Sequence, residues 1–357
     1  MLSWLKKWYH HKFSDPQVVV LFLMLLLGFL AIYWLGRILA PLLVAIAFAY
    51  LLEWPVARLT RLGLSRAIST SLVVSTFIGL STMVLMWTMP LFWHQGRTLL
   101  RDMPQMIEQG RQYLLELPEA FPGVISTEQV NIFMQSVDER LMAFGRDMLS
   151  LSLASIVDLV ALMIYLILVP LLVFFMLKDK ELLMTRFAAI LPTERKLIGQ
   201  VWQEMNFQIM NYVRGKILEI LIVGSVSYAV FALFGLNYPL LLGVLVGFSV
   251  LIPYIGAAVV TLPIALVALF QWGFSAQFGY LMLAYAVIQA LDGNLLVPLL
   301  FSEVIDLHPV YIIVAVLFFG GLFGFWGIFF AIPLASLVKA TVNAWSARVQ
   351  ASTEVAE

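Results

Sequence analysis

The chain of 357 residues has no cysteine. That absence excludes disulfides, thiolate metal sites and cysteine nucleophiles. Histidine is scarce: His10, His11, His94 and His308 are scattered and make no HExxH or related ligand spacing, so no metal site is expected. No GxxxxGK[ST] run is present to cradle nucleotide phosphates, which excludes ATP hydrolysis by a P-loop route. Motifs of intramembrane enzymes are missing as well. "GFSV" at 247–250 lacks the second glycine of a GxSG serine motif, and there is no GxGD aspartyl motif. The chain is therefore not expected to be an enzyme, and no cofactor is expected. Charge is the other shortage. Asp, Glu, Lys and Arg make up 12% of the residues, against about 25% in soluble domains, and the formal net charge is zero. Nucleic acid is not suggested as a partner.

What fills the chain instead is apolar. Hydrophobic residues are 62% of it, and the mean hydropathy is +0.97. These values place it among all-α, polytopic helical membrane proteins, with the lipid bilayer as solvent. The basic start, "MLSWLKKWYHHKFSDPQ", precedes a long apolar run with no small-residue cleavage site, so it reads as a retained first span. About 20 apolar residues cross a hydrocarbon core of about 30 Å. Candidate spans lie near 18–36, 38–53, 67–93, 151–177, 217–235, 239–270, 278–298 and 310–336, about eight in all. The corresponding division is a three-span region at 1–93, an extracytoplasmic helical segment at 94–150, a fourth span with a cytoplasmic amphipathic loop at 151–216, a C-terminal bundle with broken helices at 217–345, and a tail at 346–357.

The basic residues orient this plan. Lys6, Lys7 and Lys12 lie before the first span, and Arg58, Arg61 and Arg66 lie after the second. Lys178, Lys180, Arg186, Arg195, Lys196, Arg214 and Lys216 lie in the loop at 178–216, and Lys339 and Arg348 near the end. All fall on one side if both termini are cytoplasmic. The long loop at 94–150 would then be extracytoplasmic.

That loop has helical character. Leu99, Met103, Met106, Gly110, Tyr113 and Leu117 repeat at heptad spacing, as do Val130, Met134, Val137, Leu141, Phe144 and Met148. Pro118, Pro122 and Gly123 separate the two, so a helical hairpin is expected. Its seams either pair with each other or contact neighbouring subunits. Ile198, Val201, Met205, Ile209 and Tyr212 also recur at helical spacing, either as an interfacial helix or as a cytoplasmic extension of the fifth span.

Acids within spans carry the functional signal, since a carboxylate at a span centre costs about 2.5–3.5 kcal/mol on insertion scales. Glu219 follows Lys216 by three residues near a span end, which reads as a local ion pair or as snorkelling. Asp158 and Asp292 are harder to explain by packing. The expected spans put both at about 10 Å from the outer edge, where they could line one polar cavity. Tyr285, Gln289 and Asp292 share one helix face. Gly293, Asn294 and Pro298 follow and suggest a break, which a bilayer tolerates only where protein or water satisfies the freed backbone. A second interruption is "LIPYIG", with Pro253 and Gly256. Pro263 follows it, so 239–270 is either one kinked span or a re-entrant pair. Paired interruptions of this kind point to a transporter's binding site. Gly320, Gly324 and Gly327 suggest close helix packing. "GFSVLIPYIGA" and "GIFFAIPLASL" share a faint similarity that hints at an internal repeat.

Six stretches, in this order and spacing, resemble the autoinducer-2 exporter family, most closely its PerM-type permeases. They are "APLLVAIAFAYLLEWPV", "YLILVPLLVFFMLKDK", "NYVRGKILE", "GLNYPLLLGVLVGFSVLIPYIGA", "IQALDGNLLVPLLFSEVIDLHP" and "FGGLFGFWGIFFAIPLASLVKA". The resemblance implies a bacterial inner-membrane protein and a homo-oligomer, with a pentamer as the suggested state. It also implies export or permeation of a small molecule. Asp292 and Asn294 match the acid and asparagine of the family's seventh-span motif. Three readings follow. The first is a permease or exporter moving a small solute without ATP hydrolysis by this chain. The second is a sodium (cation)–proton antiporter using Asp292 or Asp158. The third is a membrane scaffold, which would leave Asp292 and the interruptions without a reason.

Overall fold

A computed structural model describes residues 16–120, 155–190, 196–301 and 307–341, with scattered helical positions between 128 and 139. Its elements are α1 (Pro16–Arg61), α2 (Arg66–Ala120), α3 (Ser155–Lys178), α4 (Lys180–Ile190), α5 (Lys196–Leu233), α6 (Pro239–Ser249), α7 (Ile255–Trp272), α8 (Ala276–Leu291), a π turn (Asp292–Leu296), α9 (Val297–Phe301) and α10 (Pro309–Phe329). A further short helix, α11, spans Ala331–Thr341. Among the described residues, six helices are long and apolar enough to cross a membrane, or seven if the bent α3–α4 pair counts as one span. The chain is a polytopic helical membrane protein.

One node fixes which helix ends lie together. Arg66 Nε donates to the Leu177 carbonyl at 2.8 Å, and Arg66 Nη2 meets Glu53 Oε2 at 3.1 Å. Lys180 Nζ meets Glu53 Oε1 at 2.8 Å. The C-terminal end of α1, the start of α2 and the end of α3 therefore share one face of the bundle, called here the basic end. One of several hydrophobic core clusters lies among α5–α8, where Phe231, Leu242, Val246, Ile264, Ala268 and Leu281 are fully buried.

The residues expected as two spans, 18–36 and 38–53, lie on one continuous 46-residue helix, α1. The junction at Gly36–Arg37 has no proline and no turn pair. Pro41 and Pro55 fall inside the helix without ending it. Likewise α2 runs 55 residues and passes through position 94 without interruption. Its first heptad seam does not wait for the second: Leu99 and Met106 pack on the α5–α8 core. Gln95 Oε1 accepts from Leu241 N at 3.0 Å, and Tyr238 OH donates to Asp102 Oδ2 at 2.6 Å. The turn expected at 118–123 falls largely outside the described residues. So does most of the second seam, although Val130 and Met134 are described and buried. The amphipathic stretch at 198–212 is an extension of the following span, because α5 is one 38-residue helix.

Residues 239–270 form a re-entrant pair. α6 has 11 residues, about 16 Å, which is half of a hydrocarbon core. It packs back along α5 through Gly224, Gly243 and Gly247. A Cβ on Gly247 would come within 2.8 Å of the Ile220 carbonyl, so the two backbones touch. The chain then reverses at 250–254 and α7 returns to where α6 began. There Asn237 N donates to Gln271 Oε1 at 2.8 Å, and Gln271 Nε2 donates to the Gly235 carbonyl at 2.7 Å.

α8 starts at the same far end, where Gln277 Nε2 reaches the Phe234 carbonyl at 3.2 Å. It runs antiparallel to α5 and brings Phe301 against Tyr212, with ring centroids 5.8 Å apart. The last apolar stretch, expected as one span at 310–336, is a second hairpin. Gly324 has φ 60° and ψ −137° inside α10, a region that only glycine enters without strain. A Cβ on Gly327 would strike the Phe319 carbonyl, and Ala315 and Val316 of α10 share a buried cluster with Ala331, Leu334 and Ala335. The glycines expected to pack against a neighbouring helix instead let the chain fold back on itself. The two similar stretches, "GFSVLIPYIGA" and "GIFFAIPLASL", occupy the tips of the two hairpins. The hairpins enter from opposite ends of the bundle, as in an inverted repeat.

Candidate functional site

A cavity of about 550 Å³ opens where the tip of the first hairpin meets α5, the π turn and the start of α10. α5 contributes Lys216 and Glu219, which are 3% and 2% exposed. Their side chains meet at 2.6 Å, an i,i+3 ion pair on one helix face. Lys216 Nζ also donates to the Val250 carbonyl at 3.1 Å and sits 5.1 Å from the centroid of the Phe301 ring. One ammonium thus ties the hairpin tip to α5 and to the end of α9.

Asp292 faces the same cavity. Its Oδ1 is buried and has no hydrogen-bond partner among the described residues. Lys216 is within electrostatic reach of it, and Asp292 in turn of Glu219. Counted with all three groups ionised, one ammonium and two carboxylates make a formal charge of −1. Gln289 and Pro253 line the cavity too. Gln289 Nε2 donates to Tyr285 OH at 2.8 Å, and Tyr285 OH reaches the Ala257 carbonyl at 3.5 Å, which links α8 to the start of α7.

The expected break after Asp292 is a π turn inside a continuous helix, where Val297 N bonds to the Asp292 carbonyl. Pro298 supplies a physical reason. It cannot donate to the carbonyl of Asn294, and its ring would crowd that carbonyl in a regular helix. One wider turn relieves the crowding, a device common at functional sites. Gly256 does not line the cavity but makes the tip possible, because a Cβ there would collide with the Ser249 carbonyl.

Two expected site residues lie elsewhere. Asn294 is exposed, and its Nδ2 donates to the Ala290 carbonyl of its own helix at 2.8 Å. Asp158 lies near the start of α3, 19 residues before Leu177, or about 28 Å from the basic end. Its side chain lies outside the described residues. Asp292 follows Ser275 by 17 residues, so it lies about 25 Å from the far end and towards the basic one. The expectation of two acids at matching depth therefore fails. With 239–270 re-entrant, α8 runs in the opposite direction to that expected.

Lys216 and Glu219 are the central residues that sequence reasoning placed at the rim. A span beginning at 217 puts them at its end, whereas α5 begins at Lys196 and puts them well inside a helix. The available signal was the unbroken helical periodicity from 198 through 212 into the apolar run. Among the described residues, no three His, Cys, Asp or Glu side chains are grouped to hold a metal ion.

Comparison with known proteins gives the family. The model of the AI-2E family transporters matches residues 22–347. The chain is 50% identical over 345 residues to "Putative permease PerM" of Escherichia coli (strain K12), covering 97% of this chain and 98% of that one. It is 26% identical over 316 residues to "Putative transport protein YueF" of Bacillus subtilis (strain 168), covering 87% and 84% respectively. A family match over nearly the whole length, on a bundle with two re-entrant hairpins around a charged cavity, identifies the chain as a membrane transporter of the AI-2E family.

Proposed function

We propose that the chain is a permease or exporter that moves a small solute across the bacterial inner membrane without hydrolysing ATP. The solute would pass by way of the cavity lined by Lys216, Glu219, Gln289 and Asp292. The observation that carries this reading is Asp292 in the wall of the cavity, with one carboxylate oxygen buried and without a hydrogen-bond partner among the described residues. Intramembrane carboxylates are costly and characteristically line transport paths. The group's formal charge of −1 favours a solute that donates hydrogen bonds or carries positive charge.

The reading also places the basic end at the cytoplasm, because Arg58, Arg61, Arg66, Lys178 and Lys180 lie there. The second hairpin returns Thr341 towards that end, which supports a cytoplasmic C-terminus. This reading puts the start of α1 on the far side, in place of the cytoplasmic N-terminus expected from Lys6, Lys7 and Lys12. α1 is unbroken from Pro16, and this reading puts its Arg61 end at the cytoplasmic face. A homo-oligomer belongs to the proposal on family resemblance. It predicts more than one subunit by native mass spectrometry, and a persistent monomer in lipid discs would oppose it.

The test of the site is solute uptake by proteoliposomes, screened with a library of labelled small solutes and with sodium and proton indicators. Asp292→Asn should assemble normally and transport poorly, and Asp292→Leu more poorly still. Native rates in both variants would reject the site. Sodium flux coupled to protons, with no organic solute moved, would replace the solute permease with a cation–proton antiporter.

A further inference from the structure

Positive φ angles occur among the described residues at four glycines, Gly63, Gly235, Gly273 and Gly324, and at two tyrosines, Tyr238 and Tyr254. A bulky side chain is strained in that region, whereas glycine is not. Tyr238 has a visible reason to be there: it is buried, and its hydroxyl donates to Asp102 at 2.6 Å. Tyr254 has no such reason. It is 60% exposed, and no hydrogen bond or ring contact among the described residues holds its side chain. Its backbone has φ 63° and ψ −48°, and Ile255 N donates to the Pro253 carbonyl at 2.7 Å, closing a three-residue turn around it. That is the γ-turn of positive φ, which is rare and strained. Glycine would make the same turn at no steric cost, so the strain comes with the tyrosine side chain and not with the path of the chain.

The position of Tyr254 gives the side chain a use. It stands at the tip of the first hairpin and lines the cavity. A volume of about 550 Å³ suits a small organic molecule. Among the lining residues, Lys216, Glu219 and Asp292 are those charged at neutral pH. The Lys216 ammonium is already engaged by Glu219, the Val250 carbonyl and the face of the Phe301 ring. Asp292 keeps one oxygen without a hydrogen-bond partner among the described residues. The unused capacity of the wall is therefore for accepting hydrogen bonds and positive charge. Tyr254 adds capacity of the same kind, since a tyrosine ring face attracts a cation and its oxygen can accept a hydrogen bond.

We propose that Tyr254 contacts the transported solute, and that this solute is a small organic cation that meets the tyrosine ring in the cavity that Asp292 also lines. The inference rests on the permease reading of that cavity. Backbone strain concentrates where a side chain is needed for function and not for packing. A bare inorganic cation would be served by carboxylates alone. An ammonium group carrying apolar substituents uses both the carboxylate and the ring, so Tyr254 is a specificity-determining residue.

The test uses the full-length protein in proteoliposomes, with labelled choline as the organic-cation probe and labelled sorbitol as the neutral one. The native protein should carry choline in preference to sorbitol. Tyr254→Gly relieves the strain, so its melting temperature should be no lower than native. Its choline uptake should nevertheless fall about tenfold, the scale of one desolvated cation–π contact. Tyr254→Phe keeps the ring and should retain most of the uptake, whereas Tyr254→Leu keeps bulk without a ring and should lose it. Native choline uptake in both Tyr254→Gly and Tyr254→Leu would overturn the contact. Faster uptake of both probes in Tyr254→Gly would make the side chain a plug, and a melting temperature below native would make it a packing residue; either result overturns the proposal. No preference for choline over sorbitol in the native protein would overturn the cation assignment. Asp292→Asn, run alongside, separates the two levels. Native choline uptake in that variant would reject the cavity itself, whereas its loss there, with native uptake in the Tyr254 variants, would reject this inference alone.

Discussion

The Lys216–Glu219 pair gives the most exacting test of the site's energetics. Both side chains are almost wholly buried, and their charged atoms are 2.6 Å apart. At an effective dielectric constant of about 20 their attraction is about 6 kcal/mol, which offsets a desolvation cost of similar size. Removing one partner therefore costs about 3–5 kcal/mol, whereas removing both in favour of apolar side chains of similar volume is nearly neutral. The two single variants should not be equal. Glu219→Leu leaves Lys216 with Asp292 within reach, the Val250 carbonyl and the Phe301 ring. Lys216→Met leaves Glu219 and Asp292 as two carboxylates with no cation between them. Lys216→Met should be the least stable, Glu219→Leu intermediate, and the double variant closest to the native chain. The assay is thermal unfolding in one detergent at pH 7, with the membrane-inserted amount measured alongside. A double variant as unstable as Lys216→Met would refute the reasoning, as would Glu219→Leu falling below Lys216→Met.

Other predictions follow from single contacts. Gly256→Ala drives a Cβ into the Ser249 carbonyl; backbone has to move, so a loss of about 1–3 kcal/mol and of transport is expected, read by melting and uptake together. Tyr238→Phe removes a 2.6 Å bond to Asp102 and should cost about 1.5 kcal/mol in thermal unfolding. Tyr238 lies in the turn between α5 and α6, outside the spanning segments. Burial, and then the neighbouring Asp102, hold its phenol above its ordinary value. Its contribution should therefore be intact below about pH 10 and lost only as pH rises through the folded value, so the variant's deficit should be the same at pH 6 and pH 9. Because the native chain has no cysteine, Leu64→Cys and Gln112→Cys report topology directly. An impermeant thiol reagent on intact spheroplasts should label Gln112→Cys alone, and labelling of Leu64→Cys alone would invert the proposed orientation.

The sequence by itself determined the solvent and the class of fold. A chain with 12% charged residues and long apolar runs can satisfy its backbone in lipid only as helices. It also marked Asp292, Gln289 and the "LIPYIG" interruption, because polar groups and prolines are costly in that setting and stand out against it. The path of the chain was decided by tertiary structure. An apolar run reads alike whether it crosses once, turns back halfway or continues a neighbouring helix. Hydropathy measures burial from water, not direction. Close contacts such as Gly256 on the Ser249 carbonyl, and the left-handed turn at Gly324, decided that two runs are hairpins. Those reversals set the direction of α8, separated Asp158 from Asp292, and brought Asp292 to Lys216. Asn294 shows the limit of pattern at the smallest scale. It lies two positions from Asp292, yet in a wide π turn its side chain bonds back to its own helix. Lys216 and Glu219 needed the true start of α5 before their depth could be known. Local periodicity reports a helix's face, whereas only packing against other helices reports how far along it the membrane interior lies.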